Sequence, residues 1–171
     1  LKPLYQLQQE EKWSSAIRLC RFVREITLWA CLAGMSIKAG HLQTAEVALA
    51  TLEEVDKLEY ITSISRLKNE EAKSAELALY QRRPQEAESI LLQAGLIYRA
   101  IKMNILRYDW DRAFEIASRH KQHIDTLLAY RSQFNELYHD GEEVDNKFAQ
   151  LQGVDWDWET VRKNEAQEES Q

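Results

Sequence analysis

The chain has 171 residues, of which 44% are hydrophobic and 29% are charged, enough for one domain with a buried core or one contiguous run of stacked helices. Charged residues interrupt the longest apolar runs before a bilayer-spanning length, and we see no secretory or membrane segment. The net charge of −6 argues against a general nucleic-acid binder, which would need a basic stripe. Because the sequence begins at Leu1, we expect it to be an internal or C-terminal piece of a longer protein.

Helical periodicity runs along almost the whole chain up to residue 139. Gly and Pro are scarce, with five and two copies, and good helix formers dominate. Nine stripes of apolar residues at helical spacing predict nine amphipathic helices. In chain order the stripes run over residues 13–20, 26–37, 42–52, 58–67, 72–79, 87–94, 97–105, 110–117 and 124–137.

Residues that favour helix ends separate these stripes. Gly40 follows Lys38 at a position where a left-handed residue ends a helix. Asn69 and Asp109 are suited to the N-cap, and Pro84 is suited to the first position of a helix. Because the turns are short, they force neighbouring helices to run antiparallel, so the sequence predicts helical hairpins.

Small residues recur where two helices of a hairpin must approach each other. Ala45, Ala87 and Ala113 each lie early in a helix that follows a tight turn, which is typical of tetratricopeptide-like repeats. Their spacings of 42 and 26 residues differ from an even period of about 34. The predicted fold class is therefore all-α, an irregular tetratricopeptide-like solenoid of antiparallel helical hairpins with an extra helix at 56–68. The residues assigned to hairpin packing are Trp29, Ala33, Gly34, Ala45, Ala87 and Ala113.

Residues 140–171 form an acidic tail that differs from the predicted solenoid at 1–139. The tail carries a charge of −7, so the other 139 residues together carry +1. One weak amphipathic helix is predicted around Phe148, before a break at Gly153. The polar end from residue 164 is expected to be disordered.

Two tryptophans in this tail are candidate binding residues. Trp156 and Trp158 follow Val154, are flanked by acidic residues, and have little local core to enter. One hypothesis is that they fold back and cap the last hairpin. The other is that they anchor a partner protein, as buried aromatic residues often do. Both hypotheses stay open at this stage.

Five basic residues form two small clusters, Arg82 with Arg83, and Arg99 with Lys102 and Arg107. Solvated turns and helix faces would explain them. The sharper hypothesis is a docking site for an acidic partner segment, since charges at the rim of an interface steer association.

No catalytic residue, cofactor or metal site is predicted. The glycines are scattered and form no phosphate-binding loop, and no Ser, Cys or Thr lies in a nucleophile motif. His120 and His123 lie three residues apart, but zinc needs three or four ligands and no third lies at a matching spacing. Cys20 and Cys31 are interpreted as small buried hydrophobic residues of a protein from a reducing compartment.

Several stretches together resemble one family. They are residues 29–35 (WACLAGM), 75–80 (AELALY), 92–105, 108–113 (YDWDRA), 129–131 (AYR) and 154–156 (VDW). They resemble the C-terminal helical region of the WD-repeat intraflagellar-transport subunits, and the resemblance covers roughly residues 13–165.

The resemblance implies a structural role without enzyme activity. Such proteins carry two β-propellers followed by helical repeats, and they build the trains that motors move along the axoneme of the cilium. The implied partners are other subunits of the B complex of intraflagellar transport, or a second copy of the chain. The implied location is the ciliary base and axoneme, on the cytoplasmic side. We expect no nucleic acid, membrane insertion or small-molecule substrate.

An adaptor solenoid of another kind, such as a vesicle-coat leg or a peptide-binding co-chaperone, is the alternative. A peptide clamp would line its groove with Lys, Arg and Asn at repeating positions, and the sequence lacks such a set.

Overall fold

The computed structural model describes residues 1–151 and 153–170, and in these residues it contains helices but no strand. The all-α prediction is therefore confirmed for the described residues. The helices are α1 (Lys2–Gln9), α2 (Trp13–Val23), α3 (Ile26–Lys38), α4 (Leu42–Thr51), α5 (Val55–Ser65), α6 (Glu70–Tyr80), α7 (Pro84–Gln93), α8 (Ile97–Leu106), α9 (Trp110–His120), α10 (Ile124–Tyr138), α11 (Asn146–Ala149) and α12 (Trp158–Glu169).

Two helices are additional to those that the apolar stripes predicted. The nine stripes correspond to α2 through α10, and the weak helix around Phe148 corresponds to the short α11. α1 and α12 were not predicted, and each has one fully buried residue, Leu4 and Val161 respectively. The polar end expected to be disordered is helical over residues 164–169, while Gln171 lies outside the described residues.

The helices follow each other at a nearly regular step. From Trp13 to Ile124, a new helix begins every 13 to 16 residues. α5, which the sequence suggested was an insertion, begins in step with this series. Among α2 through α10, the fourth residue is alanine in five helices, and each of these five alanines is fully buried. They are Ala16, Ala45, Ala87, Ala100 and Ala113.

Seven turns share one backbone conformation. In each, a residue with positive φ lies two positions before the first residue of the next helix. These residues are Glu11, Arg24, Gly40, Glu53, Arg82, Gly95 and Tyr108. In all but the turn at Arg24, the amide of the following residue donates to the carbonyl five residues earlier, at 2.8–3.1 Å. This bond satisfies an orphan carbonyl at the helix end and redirects the chain into the next helix.

Backbone contacts divide the chain into two compact units, Leu1–Ala87 and Glu88–Gln171. The core of the first unit includes Leu32, Ile61 and Ile64, and that of the second includes Tyr98 and Leu127. The predicted division between residues 139 and 140 falls inside the second unit and stays a prediction.

One residue assigned to hairpin packing has a different environment. Trp29 and Ala33 on α3 are buried, as is Ala45 on α4. Gly34, by contrast, is exposed, and a Cβ atom added there would meet no other atom within 4 Å. The assignment of Gly34 to close helix packing was therefore wrong, because open space rather than a neighbouring helix lies beside it.

Candidate protein-interaction surfaces

Helix α12 begins at one of the two candidate tail tryptophans. Asp157 is its N-cap, accepting hydrogen bonds from the Thr160 amide at 2.9 Å and the Thr160 hydroxyl at 2.6 Å. The ring of Trp158 meets Tyr130 of α10 edge-on, with 5.4 Å between ring centroids, and Trp156 at 5.9 Å. Both tryptophans are half-buried. The tail of the second unit thus packs an aromatic pair beside α10.

Polar contacts attach the rest of α12 to the second unit. Lys102 of α8 donates to both the Tyr130 hydroxyl and the Glu165 carboxylate, and the Tyr130 hydroxyl donates to Glu165 at 3.1 Å. Burial alone would raise the pKa of Glu165, but the hydrogen bond and charge of Lys102 lower it below its ordinary value. Val161 is the one fully buried residue of α12, and this charged cluster adds polar contacts to the attachment of the helix.

Two of the predicted basic docking residues therefore contact the chain's own tail. Besides Lys102, Arg99 donates from its guanidinium to the carbonyl oxygen of Glu169 at 3.3 Å. Arg107, just after α8, is exposed and lies 3.5 Å from the Asn104 side-chain oxygen. The structure brings Arg99 and Lys102 together against α12 and leaves Arg107 in solvent.

The other two basic candidates belong to the first unit. Arg82 and Arg83 are exposed in the turn between α6 and α7, where Arg82 has a φ of 60°. Arg83 donates to the carboxylate of Glu86 and to the side-chain oxygen of Gln81. Such exposed ion pairs contribute little to stability, so Arg83 is available to another carboxylate.

Val154 and Trp156 lie near a small groove of the second unit with a volume of about 200 Å³. Leu128 and Arg131 of α10 and Leu151 also line it. Val154 remains 42% exposed. The two residues are therefore near neighbours in space, while Trp158 faces Tyr130 instead.

A buried ion pair that the sequence did not predict anchors the start of the tail. Arg131 of α10 donates to Glu143 at 2.7 and 3.0 Å, and the two side chains are only 8% and 10% exposed. Glu143 also accepts from the Asn135 amide group at 2.7 Å and the Asp145 backbone amide at 2.9 Å. Burial alone would raise the pKa of Glu143, but these donors lower it to about 2.

Three aromatic rings surround the Arg131 guanidinium. Its central carbon lies 4.8 Å from the ring centroid of Phe148, 5.2 Å from that of Trp110 and 5.4 Å from that of Phe134. Cation–π attraction therefore adds to the ion pair. The available sequence signal was the position of Arg131, four residues after Leu127 on the buried face of α10.

In the described part of the chain, no group of three or more His, Cys, Asp and Glu side chains is placed to hold a metal ion. His120 is exposed, and the His123 ring instead meets Tyr98 edge-on at 5.2 Å. Cys20 is buried, which raises the pKa of its thiol, and Cys31 is half-buried. Among the described helices, none has the length and apolar character required to cross a membrane.

Short helices follow one another, a left-handed residue lies two positions before most of them, and several begin with a buried alanine at their fourth residue. These features define a tetratricopeptide-like helical-repeat protein. A family model described as the IFT80/172/WDR35/WDR19 TPR domain matches residues 28–171, and the chain belongs to this family. The predicted tetratricopeptide-like fold class is thus confirmed.

Two curated relatives are similar to most of the chain. The intraflagellar transport protein 80 homolog of Rattus norvegicus is 44% identical over 160 residues, and that of Mus musculus is 42% identical over 160 residues. Each alignment covers 93% of this chain and 20% of the relative, so the chain spans about a fifth of their length. The resemblance to intraflagellar-transport subunits is confirmed, and both relatives are named as homologs of intraflagellar transport protein 80.

Proposed function

We propose that the chain is a structural scaffold segment of an intraflagellar-transport B-complex subunit, and that it binds other subunits, without catalysis, during assembly of ciliary transport trains. The observation that supports this most directly is the match of residues 28–171 to the family, together with 44% identity over 160 residues to a relative named for intraflagellar transport. The proposed place of action is the cilium, at its base and along the axoneme, on the cytoplasmic side.

An exposed apolar patch in the second unit supports a binding role. Leu106, Tyr108, Leu137 and Tyr138 are between 61% and 71% exposed. They line a groove of about 240 Å³ together with Phe134. The ring centroid of Phe134 lies 5.5 Å from that of Tyr108 and 4.8 Å from that of Tyr138. Clustered apolar and aromatic side chains on a surface are typical of protein interfaces.

Cells that lack the endogenous subunit provide the test. They receive the full-length protein, the protein without this 171-residue segment, or full-length variants with a point substitution in the segment. We measure cilium length and the stoichiometry of the B-complex subunits that co-purify with each form. Deletion of the segment should shorten cilia and deplete specific subunits from the complex.

Leu137→Glu is the point variant, since Leu137 is 71% exposed and its replacement leaves the core intact. Glu136→Gln, at the neighbouring exposed position, is its matched control. Normal cilia and full subunit stoichiometry after deletion of the whole segment would contradict the proposed function. Light scattering on the purified chain with and without residues 140–171 tests the second proposed partner, another copy of the chain.

A further inference from the structure

The first unit contains a large open groove with an apolar floor and a basic rim. Its volume is about 830 Å³, and it lies beside α3, α4 and the turn that precedes α7. Its floor is apolar, formed by Ala33, Ile37, Leu49, Leu52 and Tyr80. At the rim lie Lys38, Lys57 and Arg83, with Glu54 as the one carboxylate among the lining residues.

Helix α3 has an apolar composition that its burial does not match. Lys38 is its one charged residue, and a helix that is apolar on all sides is normally buried on all sides. Yet Ile26 is 72% exposed, and Ala30 and Gly34, at successive four-residue steps, are exposed as well. Within the described residues, one face of α3 therefore has no cover, and that face leads into the groove.

The charges of the rim indicate the chemistry of the missing partner. Lys38 forms no ion pair within the part of the chain that the structure describes. Lys57 pairs with Glu54 at 3.1 Å, and Arg83 pairs with Glu86, but all four side chains are roughly half exposed. Exposed pairs of this kind are worth little and exchange readily for other carboxylates. The groove thus presents a positive rim on a chain of net charge −6.

We propose that this groove binds an acidic amphipathic helix of another subunit of the transport train. The helix would place apolar side chains on the floor and carboxylates against Lys38, Lys57 and Arg83. Exposed small residues at Ala30 and Gly34 allow a helix backbone to approach α3 closely. This inference rests on the proposed scaffold function and adds the surface and the kind of partner.

The acidic tail of the chain is a weaker occupant. Two of its carboxylates, Glu143 and Glu165, already pair with Arg131 and Lys102 in the second unit. If the tail moved to the groove, the nearly buried guanidinium of Arg131 would lose its counter-ion, Glu143. A carboxylate-bearing helix from another protein meets the rim without that loss.

Gly34 offers a way to block the groove without disturbing the fold. No atom lies within 4 Å of a Cβ placed on it, and it lies inside α3. Gly34→Leu should keep or raise the melting temperature of the chain, because leucine has a higher helix propensity than glycine. Its side chain would project into the space that we assign to the partner.

Binding is measured with the full-length chain and two synthetic peptides. Both are 18-residue helices with leucine at helical spacing, one with glutamate and one with lysine at the flanking positions. Fluorescence anisotropy should show the glutamate peptide binding roughly tenfold more tightly than the lysine peptide, since the rim attracts glutamates and repels lysines. Gly34→Leu, and separately Lys38→Glu with Lys57→Glu, should each weaken it about tenfold.

Lys68 is exposed and does not line the groove, so the charge reversal Lys68→Glu should leave the affinity for the glutamate peptide unchanged. Equal binding of the two peptides, or an unaltered affinity in Gly34→Leu, would overturn the proposal.

A photo-cross-linking residue at position 38 of the full-length chain then identifies the occupant in the purified B complex. We expect cross-links to a segment of another subunit that is rich in Asp and Glu and has apolar residues at helical spacing. Cross-links to the same chain, to an isotope-labelled second copy, or to no subunit would overturn the inference. If deletion of the whole segment disrupts assembly but Gly34→Leu does not, the groove assignment fails while the proposed function stands.

Discussion

Glu143→Gln removes the negative charge from the least exposed ion pair of the described residues and leaves the side chain almost the same size. Arg131, 8% exposed, would then be a buried cation without a counter-ion. The glutamine can still accept a hydrogen bond from Arg131 or Asn135, so the charge is the main loss. Removal of one partner of a buried pair usually costs about 3–5 kcal/mol.

The pKa of Glu143 gives a second measure of the same interaction. It falls from an ordinary 4.5 to about 2 in the folded chain, which corresponds to about 3 kcal/mol. Because the folded pKa is the lower one, this stability is fully present above about pH 5 and is lost as the pH falls towards 2. At pH 3 only about 1.4 kcal/mol of it should remain.

Urea unfolding followed by circular dichroism tests both figures. At pH 7 we expect Glu143→Gln to lower the free energy of unfolding by about 3 kcal/mol, and at pH 3 by less than half of that. Glu142→Gln, at the neighbouring exposed position, should change it by less than about 0.5 kcal/mol. A loss below about 0.5 kcal/mol at pH 7, or an equal loss at both pH values, would refute the reasoning.

Three further variants test the turns, the tail and the helix packing. Arg24→Gly should raise the free energy of unfolding by about 1 kcal/mol in urea titrations, because Arg24 has a φ of 58°. Lys102→Met should speed amide hydrogen exchange in α12 severalfold by mass spectrometry, whereas exposed Lys163→Met should not. Ala113→Leu should lower the midpoint of thermal unfolding, since overpacking a fully buried site costs about 1–3 kcal/mol, while exposed Ala94→Leu should not.

The positions of the central helices followed from apolar periodicity because each of them buries several residues on one face. α9 shows this best, because its buried residues Ala113, Ile116 and Ala117 lie at spacings of three and four. α1 and α12 each have one fully buried residue, so the apolar signal of each is short, as with Leu4 and Leu7 in α1. Their helical state instead depends on local signals, such as Pro3 in the first turn of α1 and the cap at Asp157, and on contacts with other helices.

The candidate surfaces were harder to predict than the helices. Glu143 is one of ten acidic residues in the tail, and nothing in its local sequence distinguishes it from exposed Glu142. Its partner Arg131 lies twelve residues away, across a turn whose geometry the sequence does not specify. The prediction that Gly34 packs against a helix was wrong for a related reason. Periodicity places a residue on a helix face but does not show which neighbour, if any, covers that face.

The sequence did not reveal that the helices begin at nearly regular intervals, because the feature that repeats in the turns is the backbone conformation and not the type of residue. Of the seven residues with positive φ that precede new helices by two positions, only Gly40 and Gly95 are glycine. The other five carry a Cβ atom, and the left-handed conformation costs about 1 kcal/mol or more for each of them. Bonds from the following amide to the carbonyl five residues earlier, as from Asp109 to Asn104 at 2.9 Å, help to offset that cost. A search for glycine or alanine therefore finds an irregular repeat where the backbone has a nearly regular one.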